Sequence, residues 1–330
     1  MIRRLYLPLA VLLFLILILP VHAHVPVTVD HHYNMSNAFP IENPTKSYVL
    51  YGSLPAASDV TYYHLRMQPG DRLVLSLMNN GYGGPFPDMV VMGPGIPSGR
   101  IEIPPSITAP TGYGTALIQG HPPLRADYEP FSPGTIFEVA NYSREISTAG
   151  TYYVAVISPA NKTQYSLATG YREEFTPSEW IFVPMSAIET YLWEGQSILE
   201  ILAPFIGVVV LGFILIGRRV QRQGKKPGIS FWLASIAGLL CLGGAAITFV
   251  QMLHATNITG YTLEVIITFL FVLVPAALGL AALRIARQPG PSTLRHRMYL
   301  LAMGIIGLIF WAGLVIGPVL VIIAAVVPDR

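Results

Sequence analysis

Four histidines fall within eleven residues of the stretch 19–32, LPVHAHVPVTVDHH, directly after a run of Leu and Ile. Imidazole nitrogens suit Cu(II), which tops the divalent affinity order and takes nitrogen donors in tetragonal geometry. Cleavage after Ala23 would make His24 the first residue, and its free amine and ring would chelate one ion. His31 or His32, seven or eight residues on, would add a further imidazole. His24, His31 and His32 are therefore the candidate metal ligands, with Asp30 and Met35 as further donors and copper as the implied cofactor. The simpler alternative makes residues 24–45, with Pro26, Pro40 and Pro44, an ordinary lead-in to a folded domain.

Oxygen donors and acids come next. Asn79, Asn80 and Asp88 in MNNGYGGPFPD offer ligands for a hard cation, but Asn-Asn-Gly is also what a plain turn uses. Asp127 and Glu129 stand two apart and would share one face of a strand. They flank Tyr128 and precede Pro130, so a solvated acidic loop is the expectation. Arg172, Glu173, Glu174 and Glu179 read as a polar seam between an outer domain and the membrane part. His64 and His121 have no partner at ligand spacing. The chain contains no G-x-S-x-G, H-E-x-x-H, Walker loop or C-x-x-C, so catalytic residues are assigned to none and a non-catalytic protein is expected.

These residues must be positioned by two different kinds of element. The chain has 330 residues, 52% of them hydrophobic and 12% charged. That is too apolar for one soluble domain. Arg3 and Arg4, the apolar run Leu5–Leu19 and the site Val21-His22-Ala23 read as a signal peptide over 1–23. Long apolar runs return at about 197–217, 231–253, 263–283 and 299–327. Each is long enough for a transmembrane helix. Residues 24–198 hold eight Lys/Arg and fifteen Asp/Glu, whereas 218–230 and 284–298 hold nine basic residues and no acid. The positive-inside bias puts those two loops in the cytoplasm and the large domain outside, and four spans then put the C-terminus outside as well. An acidic outer domain excludes a nucleic-acid partner.

Within the membrane runs, polar residues are few: Thr248, Gln251 and Thr268, with His254 and Glu264 at outer ends. A transporter would need a polar cavity there, with Gln251 and Glu264 functional. Gly238, Gly243, Gly244, Gly304, Gly307, Gly313 and Gly317 read as helix-packing positions, and Pro275 and Pro318 as kinks. Cys241, the single cysteine, reads as a packing residue. Trp180, Tyr191 and Trp193 are spaced as an interfacial aromatic belt over a juxtamembrane segment, 176–196.

The outer segment, 46–175, carries eight short β-branched or aromatic runs, at 47–54, 61–67, 72–78, 88–93, 115–120, 135–141, 151–158 and 165–171. Bounded by Gly, Pro, Asn or Asp, they predict an antiparallel sandwich. QPGD (68–71) and SPANKTQ (158–164) sit where hairpin turns are expected. SDVTYYHLRMQPGDRLVLSL (58–77), PDMVVMGP (87–94) and TAGTYYVAVISPANKTQYSLATGY (148–171) resemble the pre-peptidase C-terminal type of β-sandwich domain. The resemblance spans about 125 residues and departs from the family in a Pro/Gly-rich insertion at 94–134. DYEPFSP (127–133), REEFTPSEWIFVP (172–184) and WEGQS (193–197) also resemble a group of multi-pass membrane proteins of the same layout, which implies architecture only. The fold class expected is thus an all-β, jelly-roll-like sandwich followed by an all-α bundle of four transmembrane helices. Pre-peptidase C-terminal domains imply an accessory module, so binding of a ligand or partner at the cell surface is the expected role. The expected partners are membrane lipid and other membrane or surface proteins or glycans.

Overall fold

The structure, a computed structural model, describes residues 25–30, 32–99, 101–160, 162–224, 227–288 and 293–327. The expected signal peptide, its cut after Ala23, His24 and His31 lie outside these residues.

All eight predicted runs are strands, and three more join them. The order is β1 (Val25–Thr28), β2 (Phe39–Ile41), β3 (Tyr48–Leu54), β4 (Val60–Met67), β5 (Arg72–Asn79), β6 (Asp88–Gly93), β7 (Gly114–Ile118), β8 (Asp127–Glu129), β9 (Gly134–Glu145), β10 (Gly150–Ile157) and β11 (Thr163–Thr169). They form a six-stranded sheet, β1-β3-β11-β5-β9-β8, and a five-stranded sheet, β2-β4-β10-β6-β7. The lead-in is therefore part of the sandwich: β1 pairs parallel with β3, and β2 parallel with β4, one at an edge of each sheet. Between the sheets lie Leu54, Leu65, Leu73, Leu77, Val91 and Val154, all fully buried. There the Tyr63 and Tyr165 hydroxyls hydrogen-bond each other at 2.7 Å, so neither is left unpaired in the core.

The expected hairpins at QPGD and SPANKTQ are corrected by this order. Strands β4 and β10 belong to one sheet and β5 and β11 to the other, so both turns arch from sheet to sheet. At QPGD the backbone is tied to the β9–β10 connection, with Gly70 N donating to Ile146 O and Ile146 N to Asp71 O, both at 2.8 Å. No hairpin ladder remains for it to close. Both sheets are covered on both faces, which explains near-continuous apolar runs such as DMVVMG. Ile107 from the long insertion packs on the outer face of the five-stranded sheet with Val90, Met92 and Ala155. The outer face of the six-stranded sheet, with Val49, Met78 and Ala168, turns toward the helices.

Two of the helices begin at capping boxes. Thr176 and Glu179 cap α1 (Pro177–Trp193), with Pro177 in the first turn, and Ser197 and Glu200 cap α2 (Ile198–Gln223). Then follow α3 (Ile229–Thr259), α4 (Val265–Ala286), α5 (Leu294–Ile309) and α6 (Ile316–Val326). Helices α2, α3 and α4 are long and apolar enough to cross a membrane. The glycine reading holds where α3 and α4 cross: a Cβ on Gly238 would stand 2.8 Å from Gly279 O. Cys241 is buried, with its sulfur against Gly317.

The fourth apolar run departs from expectation. Instead of one straight span over 299–327, the chain bends by 117° between Leu294–Ile309 and Ala312–Val326. The break lies at Trp311, Gly313, Leu314 and Val315, all with positive φ, not at Pro318. Helix α6 then returns along α5, so that Gly307 meets Pro318 and Gly304 meets Ile322. Val321, Ala324 and Ala325 join Ala234, Ala282 and Leu300 in one cluster. Val327 O accepts from Ser230 Oγ and from Arg297 Nη2, each at 3.4 Å. The last described residue thus lies at the basic-loop end of the bundle, where α3 and α5 begin. Four straight spans would leave Val327 at the sandwich end of the bundle; the bend puts it at the other end.

Candidate functional site

Helix α1 lies along the seam between sandwich and bundle, and one of its faces is left facing a cavity. Trp180, Val183, Ala187, Thr190 and Glu194 recur at helical spacing and all line it. The floor is the outer face of the six-stranded sheet, through Val49, Tyr51, Met78 and Ile136. The turn between β8 and β9 supplies Phe131 and Ser132, and the bundle supplies Phe271, Phe310 and Trp311. The cavity is partly open and has a volume of about 380 Å³, the size that small-molecule sites take.

Polar contacts clamp the sandwich to the bundle around this space. Tyr128 Oη donates to Thr268 Oγ1 at 2.7 Å, and that hydroxyl donates to Pro130 O at 2.6 Å, fixing the β8–β9 turn against α4. Lys46 Nζ meets Glu179 Oε1 at 2.6 Å, tying the sheet to the first turn of α1. Burial alone would raise the Glu179 carboxyl, but Lys46 and the Thr176 cap outweigh it and hold the group below the ordinary range. Gln196 and Gln251 exchange amide hydrogen bonds of 3.0 and 2.7 Å. Gln251, the residue a transport path would use, is thereby committed to holding the α1–α2 junction on α3.

The aromatic belt is turned inward. Tyr191 is buried, and Trp193 packs edge-on against Tyr51, with ring centroids 5.1 Å apart. Trp180 donates to Leu308 O at 3.3 Å, while Trp311 Nε1 donates to Trp180 O at 2.8 Å. Their rings stand 4.5 Å apart, and Phe271 lies 5.1 Å from Trp311. The bundle end of the cavity is therefore aromatic and apolar.

The sandwich end is acidic. Burial pushes the Glu129 carboxyl up to about 7, against a hydrogen bond from Phe131 N, and the nearby Glu173 carboxylate raises it further. Burial likewise raises Glu194 to about 7, opposed by Thr135 N and the Gln196 amide. Tyr51, hydrogen-bonded to Thr190, is pushed well above its ordinary range by burial, with the charges of Glu194 and Glu129 adding to it. Glu173 is exposed and lies at the rim. Among the lining residues there is no lysine, arginine, histidine or cysteine. Two carboxyls near neutrality can exchange protons or meet a positive charge.

The candidates from sequence distribute differently. Glu129 belongs to β8 and faces the cavity, so the solvated-loop expectation is corrected for it: β8 pairs with β9 and carries the side chain under α1. Asp127 meets Arg125 at the surface, 2.8 Å away. Asn79 donates to Gly81 O and Gly83 O, Asn80 to Gln164, and Asp88 accepts from Gly120 N, so the three oxygen donors serve separate turns. His32 Nδ1 is hydrogen-bonded to Asn37 O, and its ring stands edge-on to Phe39. His64 Nδ1 is bonded to Ala38 O and His121 Nδ1 to Pro122 O. Among the described residues no three His, Cys, Asp or Glu gather as a metal site. Glu194 was missed by sequence reasoning, and its only signal was its place at the end of the 180, 183, 187, 190 stripe.

Fold and site together define a class: a protein with helices fit to span a membrane, carrying a two-sheet β-sandwich and an acidic, aromatic cavity between them. No family model matches the chain, and no curated protein does. Among solved structures the sandwich is similar to the 1.0 Å crystal structure of the pre-peptidase C-terminal domain of a collagenase from Bacillus anthracis. The two are 20% identical with a TM-score of 0.23, over 39% of this chain and 91% of that one. A likeness at that level says nothing about function.

Proposed function

We propose that this chain is an integral membrane protein that holds its β-sandwich outside the cytoplasm and binds a ligand, without catalysis, in the seam cavity. The carrying observation is the cavity itself: about 380 Å³, mostly apolar, with two convergent carboxyls at one end. The orientation is supported by charge. Arg218, Arg219 and Arg222 end α2, and Arg284 and Arg287 end α4, all at the end of the bundle away from the sandwich. That end is then cytoplasmic, and Val327 lies on it. On α1, opposite the cavity, Ile181, Phe182 and Met185 are exposed, as expected of a helix lying in the membrane interface.

Three of the chain's four tryptophans, Trp180, Trp193 and Trp311, line the cavity, which gives a direct optical readout. The protein in lipid nanodiscs is titrated with the neutral fluorophore N-phenyl-1-naphthylamine, and energy transfer from tryptophan is followed after subtraction of empty discs. Saturable, one-to-one transfer that is lost in Ala187→Phe, which fills the cavity from α1, is the expected result. Transfer identical in wild type and in a normally melting Ala187→Phe would refute the seam as the binding site.

A further inference from the structure

We propose that the ligand of this seam is an amphiphilic cation: a quaternary or protonated amine seated among Glu129, Glu194, Tyr51 and Trp193, its apolar tail running along α1 toward Phe271 and Trp311. This deepens the ligand-binding reading above and rests on it.

The cavity changes polarity along its length. From Trp180 to Glu194 the chain climbs fourteen residues of one helix face, a rise of roughly 21 Å at 1.5 Å per residue. At the Trp180 end the walls are aromatic and aliphatic, with Phe271, Phe310 and Trp311 packed together. At the Glu194 end two carboxyls converge on the β8–β9 hairpin. Glu129 is in register with Gly134, and Glu194 Oε1 lies 3.4 Å from Thr135 N. A ligand that satisfies both ends has a charged or polar head and an apolar tail.

The sign of the head follows from the charges present. Glu129, Glu194 and Glu173 are the acids of the lining, and no basic side chain faces them there. The hydroxyls of Tyr51, Tyr128 and Tyr191 are the other titratable groups packed around the carboxyls, and all three are held in their neutral form by burial. Lys46, the nearest cation named at the seam, is already engaged by Glu179. An anionic head would therefore meet like charge without a counter-ion. A cation would meet two carboxylates beside the aromatic rings of Trp193 and Tyr51, which line the same end, surroundings of the kind that recognise ammonium groups.

A neutral ligand leaves both carboxyls to titrate as they do in the empty protein, whereas a cation favours their charged forms. Binding of a cation should therefore tighten as pH rises toward and through about 7, where Glu129 and Glu194 ionise in the empty cavity. For one fully coupled carboxyl the gain between pH 6 and pH 8 is about tenfold in affinity.

The test uses the full chain in nanodiscs of zwitterionic lipid, with hexyltrimethylammonium as ligand and its uncharged isostere 2,2-dimethyloctane as control, read by tryptophan emission. Expected are at least tenfold tighter binding of the ammonium than of the hydrocarbon at pH 8, and a tenfold or greater loss for the ammonium at pH 6. Glu194→Gln should weaken the ammonium and flatten its pH slope while leaving the hydrocarbon unchanged; Glu129→Gln should do the same. Equal binding of both compounds, blocked in each case by Ala187→Phe, would overturn the cation and leave the cavity reading standing. Binding of neither compound, together with failure of the naphthylamine titration, would remove both. Because the pH series needs only wild-type protein, a poorly folding variant does not spare the proposal.

Discussion

Replacing Glu194 by glutamine isolates the most consequential electrostatic feature of the seam. The side chain is kept in place by Thr135 N and the Gln196 amide, and glutamine matches the shape of the protonated acid. Burial holds the carboxyl at about 7 instead of the ordinary 4.5. A raised carboxyl favours folding only while it is neutral. The contribution is complete below about 4.5, declines as pH rises from there, and is gone above about 7. At 1.36 kcal/mol per pH decade the full loss is at most about 3 kcal/mol, reduced by whatever water enters the cavity. Glutamine escapes this loss. In lipid nanodiscs, Glu194→Gln should melt with the wild type at pH 4.5 and several degrees above it at pH 8, since each kcal/mol moves the midpoint by roughly 2–4 °C in a chain of this order. Thermal unfolding followed by tryptophan emission at the two pH values measures it. A variant that tracks the wild type at both pH values, or melts below it at pH 8, would refute the assignment of a buried, neutral carboxyl.

Three further outcomes follow from the same geometry. Lys46→Met should destabilise the protein by roughly 1–3 kcal/mol, because Glu179 keeps its place but loses a charge-assisted bond of 2.6 Å; since that bond depresses Glu179, the difference from wild type should shrink as pH falls through the carboxylate range, read by melting at pH 7 and pH 3.5. A reporter joined after residue 327 should map to the same side of the membrane as one placed in the basic loop at 227–228, because Val327 O meets Ser230 and Arg297; protease protection in sealed vesicles decides it. Calorimetric titration of the nanodisc protein with Cu(II) decides the candidates His24, His31 and His32: Asn37 O holds His32 Nδ1 and leaves Nε2 for a metal, so binding tighter than micromolar that is lost in His32→Ala is what they require, and its absence removes them.

Much of the fold is legible in the residue pattern because its causes are local. Short β-branched or aromatic runs bounded by Gly, Pro, Asn or Asp mark eight strands, and long apolar runs mark the helices fit to span a membrane. What is not legible depends on partners distant in sequence. Which sheet a strand joins is decided by tertiary pairing, so QPGD looks like a hairpin and is an arch. DYEPFSP reads as a loop because Pro130 and Pro133 interrupt it, yet β8 forms once β9 offers an edge. Glu129 and Glu194 are half-buried only because α1 folds down onto the outer face of a sheet built from residues up to 169. The reversal at Trp311–Val315 carries no break signal beyond Gly313, since its left-handed residues include Leu314 and Val315.

The central claim is that the seam, and not the lipid-facing surface, holds the ligand. A photo-crosslinking alkylammonium carrying a diazirine on its tail, activated with the protein in nanodiscs and mapped by peptide mass, tests it directly. Labelling confined to α1 residues of the 180–194 face, the 129–135 hairpin and the 271–311 aromatic cluster, and suppressed by excess hexyltrimethylammonium, is the expected result. Labelling spread along α2, whose apolar face is open to lipid, and insensitive to competitor would contradict it.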